Sequence, residues 1–294
     1  MGNLKIITDS GSDIKRETAE KLGIRLIPIS YTFDGETYYR DGIDLSINEF
    51  YEKLRENENV PKTSQATPIQ FEEVFNEEYD NGNDNLIVVT ISSTGSGMYQ
   101  NAVLTAQEVM DERGGEITVL DSQGYSSMYG APVIHAAKML NEGKEKEEIV
   151  SYLKDAFTTM QQYFVVGELE HLKKGGRINA ATLVIANMLD IKPVLGVEGG
   201  VVVQKDKLRG TKRVWKKLVG KAIDNGADLN GHTVLIPNTV QLEKAEELKN
   251  EILESFPEAN PVFYDVGAVI GCHGGPDLVG FVYSNKYSLE DFEV

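Results

Sequence analysis

Positive charge, sulfur and long apolar runs are all scarce in this chain. Its 294 residues include 29 Lys or Arg against 46 Asp or Glu, a formal net charge of −17. Binding to phosphates needs a surplus of basic side chains, so nucleic acid and anionic membrane are excluded as standing partners and any basic contact must be local. The single cysteine, Cys272, cannot close an intramolecular disulfide. The opening MGNLKIITDS has neither the apolar stretch nor the cleavage site of a secretory signal, and the expected home is the cytoplasm. No apolar run reaches the roughly 18 residues of a bilayer span, so no integral membrane segment is expected.

What the chain does have is 41% hydrophobic residues, enough for about two domains with a core each. Short β-rich runs alternate with helical stretches: strands at Leu4–Thr8, Ile24–Tyr31, Asn85–Ser92 and Glu116–Asp121, with helices between them and after Tyr125. Such alternation predicts a parallel sheet with helices on both faces. Past the helix Lys146–Gln162 and the strand Tyr163–Gly167 the pattern changes. Glycines in Glu198-Gly199-Gly200, between two valine-rich runs, signal a hairpin, so the second half reads as α/β with a mixed, partly antiparallel sheet. The boundary is placed near Gly167, giving an N-terminal parallel-sheet α/β domain over 1–167 and a C-terminal α/β domain over 168–294.

Candidate chemistry collects where strands run into helices. The strand Leu86–Ile91 enters Ser92-Ser93-Thr94-Gly95-Ser96-Gly97 and then a helix. Ligands lie at the carboxyl ends of parallel strands, and a helix N-terminus offers free N–H groups to an anion. An oxyanion site is one reading and plain helix capping the other. No P-loop is present, because no Lys follows these glycines at the required spacing. The hydroxyl cluster Thr63-Ser64-Gln65-Ala66-Thr67 precedes Pro68 at a first-turn position, and by itself it reads as an N-cap. Thr8-Asp9-Ser10-Gly11-Ser12-Asp13 reads the same way.

Two glycine-rich segments carry a cation or an imidazole. Lys173-Lys174-Gly175-Gly176-Arg177 sets a guanidinium beside a glycine pair that permits close backbone approach, or is simply a surface turn. Ile270-Gly271-Cys272-His273-Gly274-Gly275-Pro276 puts His273 in what reads as a loop. His135, His171 and His232 read as structural, and Cys272 as a small buried thiol. The helix Ala180–Leu189, with Leu183, Ile185, Ala186, Met188 and Leu189, is apolar nearly all round; it is either core or the wall of a tunnel for an alkyl chain.

In this order and spacing, TDSGSD, KTSQATP, ISSTGSGMYQNA, the DS at 121–122, LKKGGRI, IKPVL and GCHGGP resemble the DegV family of fatty-acid-binding proteins over nearly the whole chain. The resemblance implies two α/β domains with a long-chain fatty acid in the cleft. Its carboxylate would be held by Thr63 and Ser93, with Ser64 and Ser92 beside them and His273 and Arg177 as supporting groups. It implies a separate fatty acid kinase that receives the bound acid and forms an acyl phosphate, docking near Arg209, Lys212 and Arg213. Neither a metal nor a cofactor is implied beyond the lipid. Relatives usually carry a leucine where this chain has Gly95, and G-P-G where it has Pro276-Asp277. The competing reading is a serine-dependent lipid or ester hydrolase using Ser93 and His273. The chain lacks the G-x-S-x-G elbow, and no third group to orient the histidine is legible.

Overall fold

The structure, a computed structural model, describes residues 3–167, 169–178, 191–209 and 213–292. The chain runs from β1 (Leu4–Asp9) through a 3-10 turn at Ser10–Ser12 to α1 (Arg16–Leu22) and β2 (Arg25–Ile27), then β3 (Ser30–Thr32), β4 (Tyr38–Arg40), α2 (Ile47–Glu56) and β5 (Lys62–Ser64). Next come α3 (Pro68–Asp80), β6 (Asn85–Thr90), α4 (Met98–Arg113), β7 (Glu116–Asp121), α5 (Ser127–Asn141) and α6 (Lys146–Thr159). The second half holds β8 (Met160–Val165), α7 (Glu170–Lys174), β9 (Ile191–Glu198), β10 (Val201–Arg209), α8 (Val214–Asp224), β11 (Thr233–Asn238), α9 (Leu242–Ser255), β12 (Asn260–Asp265), α10 (Ala268–Gly274) and β13 (Val279–Ser284).

The first sheet is parallel, in the order β2-β1-β6-β7. Helices cover both its faces, which is why β6 reads NLIVVT, buried at every position after Asn85, without alternation. From β1 the chain steps to β2 on one side and later returns to β6 on the other. That reversal is a topological switch point, where the loops leaving β1 and β6 diverge and leave a crevice. Capping at α3 is a reciprocal pair: Thr67 Oγ1 accepts from the amide of Gln70, and Gln70 Oε1 accepts from the amide of Thr67.

The second sheet is mixed, in the order β10-β9-β8-β13-β11-β12, with only β11 and β12 parallel. The β9–β10 hairpin turns at Gly199 and Gly200, both at positive φ, as the sequence predicts. One face of this sheet packs on α8 and α9 through Leu218, Leu248 and Phe281. Its other face contributes Phe164, Leu195 and Val202 to the same buried cluster as Ile6, Ile7 and Val88 of the first sheet. A third cluster joins Tyr31, Phe50, Tyr51 and Leu54 to Ala268 and Cys272 of α10.

Four features differ from the sequence expectation. The run Ile24–Tyr31 is two strands in different sheets, broken at Pro28, which has no N–H for a ladder. A small antiparallel sheet β4-β3-β5 then takes in Lys62–Ser64, read from sequence as part of a helix cap. Residues 268–274 form a helix where a loop is expected. β13 supplies a central strand of the mixed sheet that the sequence reading lacks. The apolar segment Ala180–Leu189, with Leu183, Ile185, Ala186, Met188 and Leu189, lies outside the described residues.

Candidate functional site

A cavity of about 320 Å³ lies where the carboxyl edge of the parallel sheet meets the second sheet and α10. Aliphatic and aromatic groups make most of its wall. Ile29 and Ile91 come from the first sheet's loops, Phe164 from β8, Val197 and Val202 from the hairpin strands, and Val269 and Ile270 from α10. Its polar side chains are Thr63, Ser64 and Gln65 at β5, Arg177 just past α7 and His273 on α10, with Ser96, Tyr125, Ser126 and Gln162 elsewhere on the wall.

Local structure explains how these segments meet. Gln65 Oε1 accepts from the amide of Gly97, and Asn101 Nδ2 donates to the carbonyl of Ala66, each 2.8 Å; β5 is thereby tied to the start of α4. Thr63 Oγ1 and His273 Nε2 are 3.0 Å apart, joining β5 to α10 across 210 positions of sequence. Arg177 donates from Nε to the carbonyl of Gly95 at 3.0 Å and from Nη1 to that of Gly175 at 2.5 Å. Gly175 is required for a reason of space, since a Cβ there would run into His273 Nδ1.

His273 is half-buried, but its Nδ1 is fully enclosed and has no hydrogen-bond partner among the described residues. Burial, followed by the charge of Arg177 and the neighbouring His171, pushes its imidazole down from 6.5 to about 3. The ring is therefore neutral at physiological pH. The thiol of adjacent Cys272 is pushed far up by burial, so it offers no thiolate.

Of the residues singled out from sequence, Thr63, Ser64, Arg177 and His273 come together on this cavity. Ser92 and Ser93 are engaged elsewhere. Ser92 Oγ donates to the carbonyl of Gly200 at 2.9 Å, while Ser93 takes both oxygens of Asp121, through its amide at 3.0 Å and its hydroxyl at 2.5 Å. The serine–histidine pair that a hydrolase would need is accordingly not formed. His273 faces Thr63, and its other nitrogen meets no carboxylate among the described residues. Lys212 and the side chain of Arg209 fall outside the described residues. Arg213 sits exposed at the start of α8, at positive φ.

The structure adds participants that no motif signalled. The Gly200 carbonyl, at the tip of the β9–β10 hairpin, accepts from Ser92, from Thr94 Oγ1 and, at 2.8 Å, from Tyr125 OH. Three hydroxyls of the first domain thus hold the hairpin whose Val197 and Val202 roof the cavity. Tyr125 also explains Gly95: its hydroxyl occupies the space a Cβ at position 95 would need. Asp277 is turned to Lys244, 3.0 Å away, and is not part of the cavity wall.

Residues 3–286 match a family model described as uncharacterised protein, DegV family. The chain belongs to the DegV family. Two DegV domain-containing proteins, from Caldanaerobacter subterraneus subsp. tengcongensis and from Halalkalibacterium halodurans, are each 33% identical to it. The first match covers 97% of this chain and 100% of the relative, the second 95% and 98%. Among solved structures, a DegV protein from Thermus thermophilus described by its fatty acid binding superposes with a TM-score of 0.85 at 31% identity, over 96% of this chain and 99% of that one. DegV from Bacillus subtilis, described as a fatty acid binding protein, gives 0.80 at 27% identity over 97% and 99%. The DegV architecture of a parallel and a mixed sheet is the one found here. Among the described residues, no helix is long and apolar enough to cross a membrane, and no cluster of His, Cys, Asp or Glu is arranged to hold a metal ion.

Two outcomes follow from this geometry. Because the folded state binds fewer protons at His273 than the unfolded chain, the stability this group contributes is full above pH 6.5 and is lost as pH falls through about 3. Urea midpoints measured from pH 7 to 4 are expected to fall more steeply for the parent than for His273→Gln, and parallel curves would contradict the burial argument. Gly200→Ala places a Cβ 2.5 Å from Ser92 Oγ at φ +81. A loss of about 1–3 kcal/mol is expected, together with faster amide exchange in residues 194–205 than in β6.

Proposed function

We propose that this protein binds one long-chain fatty acid in the cavity between its sheets, with the carboxylate at Thr63, Ser64, Arg177 and His273 and the alkyl chain along the apolar walls. The single observation that carries the reading is a partly open, mostly apolar cavity on which Thr63 and His273, in direct contact, meet Ser64 and Arg177. Its volume falls within the range of small-molecule sites, and DegV neighbours of known structure are described as fatty acid binding.

The energetics favour such a division of labour. Each buried methylene contributes roughly 0.8 kcal/mol, so a sixteen-carbon tail supplies on the order of 10 kcal/mol before association costs. A carboxylate moved out of water costs several kcal/mol unless donors meet it. Arg177 supplies the charge, Thr63 and Ser64 supply hydroxyls, and His273 holds Thr63 in place through Nε2. Ser92 and Ser93, bonded to Gly200 and Asp121, shape the loop around the carboxylate in this proposal.

We further propose that the bound acid is presented to a separate fatty acid kinase and that the chain itself needs no cofactor and performs no reaction. What supports presentation is a second recess of about 590 Å³ that shares Thr63, Arg177 and His273 with the cavity and adds Lys62 and Lys174. Asp34 also lines this recess and Lys174 pairs with Glu170 at 2.7 Å, so Lys62 and Arg177 are the cations that would face an approaching partner. The units that close on the ligand are proposed as an N-terminal domain carrying the parallel sheet and a C-terminal domain carrying the mixed one, in the cytoplasm.

Denaturing extraction of the purified protein followed by mass spectrometry is expected to release close to one equivalent of fatty acid. Protein that carries no lipid and fails to take up a fluorescent fatty acid would overturn the reading. Thr63→Val is expected to weaken palmitate binding about tenfold, on the order of one hydrogen bond to a charged group, with the melting temperature of ligand-free protein unchanged within a few degrees.

A further inference from the structure

Helix α10 carries His273 near its C-terminal end, and its N-terminus is held by carboxyl groups from the other half of the chain. The amide of Gly267, the residue capping α10, donates to Asp13 Oδ1 at 3.1 Å, and the amide of Ala268, its first residue, donates to Asp41 Oδ1 at 3.1 Å. Two of the amides that a helix leaves without internal partners are thus satisfied across more than 200 positions of sequence. Five residues, about 7.5 Å of helix, separate Ala268 from His273.

Neither carboxyl is an ordinary surface cap. Asp41 is 6% exposed, and burial pushes its acid up to about 6; burial pushes Asp13 well up too. Groups so costly to bury are retained where they fix a geometry. Asp13 is itself at φ +56 and bonds Ser126, at φ +57, whose hydroxyl also meets Tyr264 OH at 2.7 Å. Ser126 lines the cavity. Midway along α10, Gly271 lies so close to α2 that a Cβ would sit 2.6 Å from Tyr51 OH, and that same hydroxyl donates to the carbonyl of Val266 at 2.8 Å.

We propose that Asp13 and Asp41 are positioning residues for ligand recognition: they fix the N-terminus of α10, and thereby set His273 against Thr63 at the head-group end of the cavity. This rests on the fatty acid reading above. Neither residue lines the cavity itself; both reach it through the helix, and Asp13 also through Ser126, so the His273 ring and not the cavity wall alone is the readout of the positioning claim. The function needed is that of an acceptor oxygen at a given place, which an amide supplies as well as a carboxyl.

The test compares palmitate with hexadecanol, which has the same tail and no carboxylate, as competitors of a bound fluorescent fatty acid at pH 7. The parent is expected to prefer palmitate. In Asp41→Ala and Asp13→Ala that preference is expected to fall about tenfold while hexadecanol affinity moves less than threefold; Asp41→Asn and Asp13→Asn are expected to retain it. Equal weakening of both ligands, an unchanged preference, or asparagine as damaging as alanine would each overturn the proposal. The His273 ring resonances of ligand-free protein provide a second reading, expected to shift in the alanine variants and to stay in place in the asparagine ones. A parent with no preference for palmitate sinks the fatty acid reading, and the ring resonances then decide the positioning claim by themselves. Should the alanine variants not fold, Asp41→Ser and Asp13→Ser, which keep an oxygen but lack the reach, take their place with the same expectations.

Discussion

The contact between Thr63 and His273 is the constraint on which the geometry of the cavity's polar side depends. It closes a loop of 210 residues and joins a short edge strand to a seven-residue helix, neither of which would hold its position alone. A helix that short has little intrinsic stability in water. Its place is set by what surrounds it: Tyr31, Phe50 and Tyr51 against one side, and the glycines at 271 and 275 where aromatic or imidazole atoms come close.

The hydroxyl-rich loop after β6 is bonded firmly into the fold. A serine–threonine run at the end of a parallel strand is a natural anion cradle. Here Ser92, Thr94 and Tyr125 spend their donors on one carbonyl at the hairpin tip, and Ser93 gives both of its donors to Asp121. The loop fastens the two sheets, while its Ser96 lines the cavity together with Thr63, Ser64, Arg177 and His273. Burial of these hydroxyls is tolerable because each finds a partner.

Electrostatics follow the same division. The chain is acidic overall, yet Arg177 lines the cavity and shares the adjoining recess with Lys62, Lys174 and Asp34. Low local dielectric keeps His273 neutral beside Arg177, leaving the guanidinium as the charge available to an anion. On the far side, Asp9 is enclosed with Tyr129 OH at 2.6 Å and the amide of Ile91 at 2.8 Å, so the loop after β6 begins from a buried acid just as α10 does.

The sequence alone determined the α/β class, the parallel sheet of the first half, the hairpin at Gly199-Gly200 and the motifs of the DegV family, because each depends on local periodicity, on turn chemistry or on residues contiguous in the chain. Thr63, Arg177 and His273 were legible as candidates for the same reason. Only the tertiary structure decided that the Ile24–Tyr31 run would divide at Pro28 between two sheets, that GCHGG would be a helix, that Ser92 would fasten a hairpin, and that Tyr125 would fill the room left by Gly95. Those outcomes depend on which distant groups compete for the same donor or the same volume. Such competition is settled by packing in three dimensions, where pairs such as Asp41 and Ala268 first become neighbours.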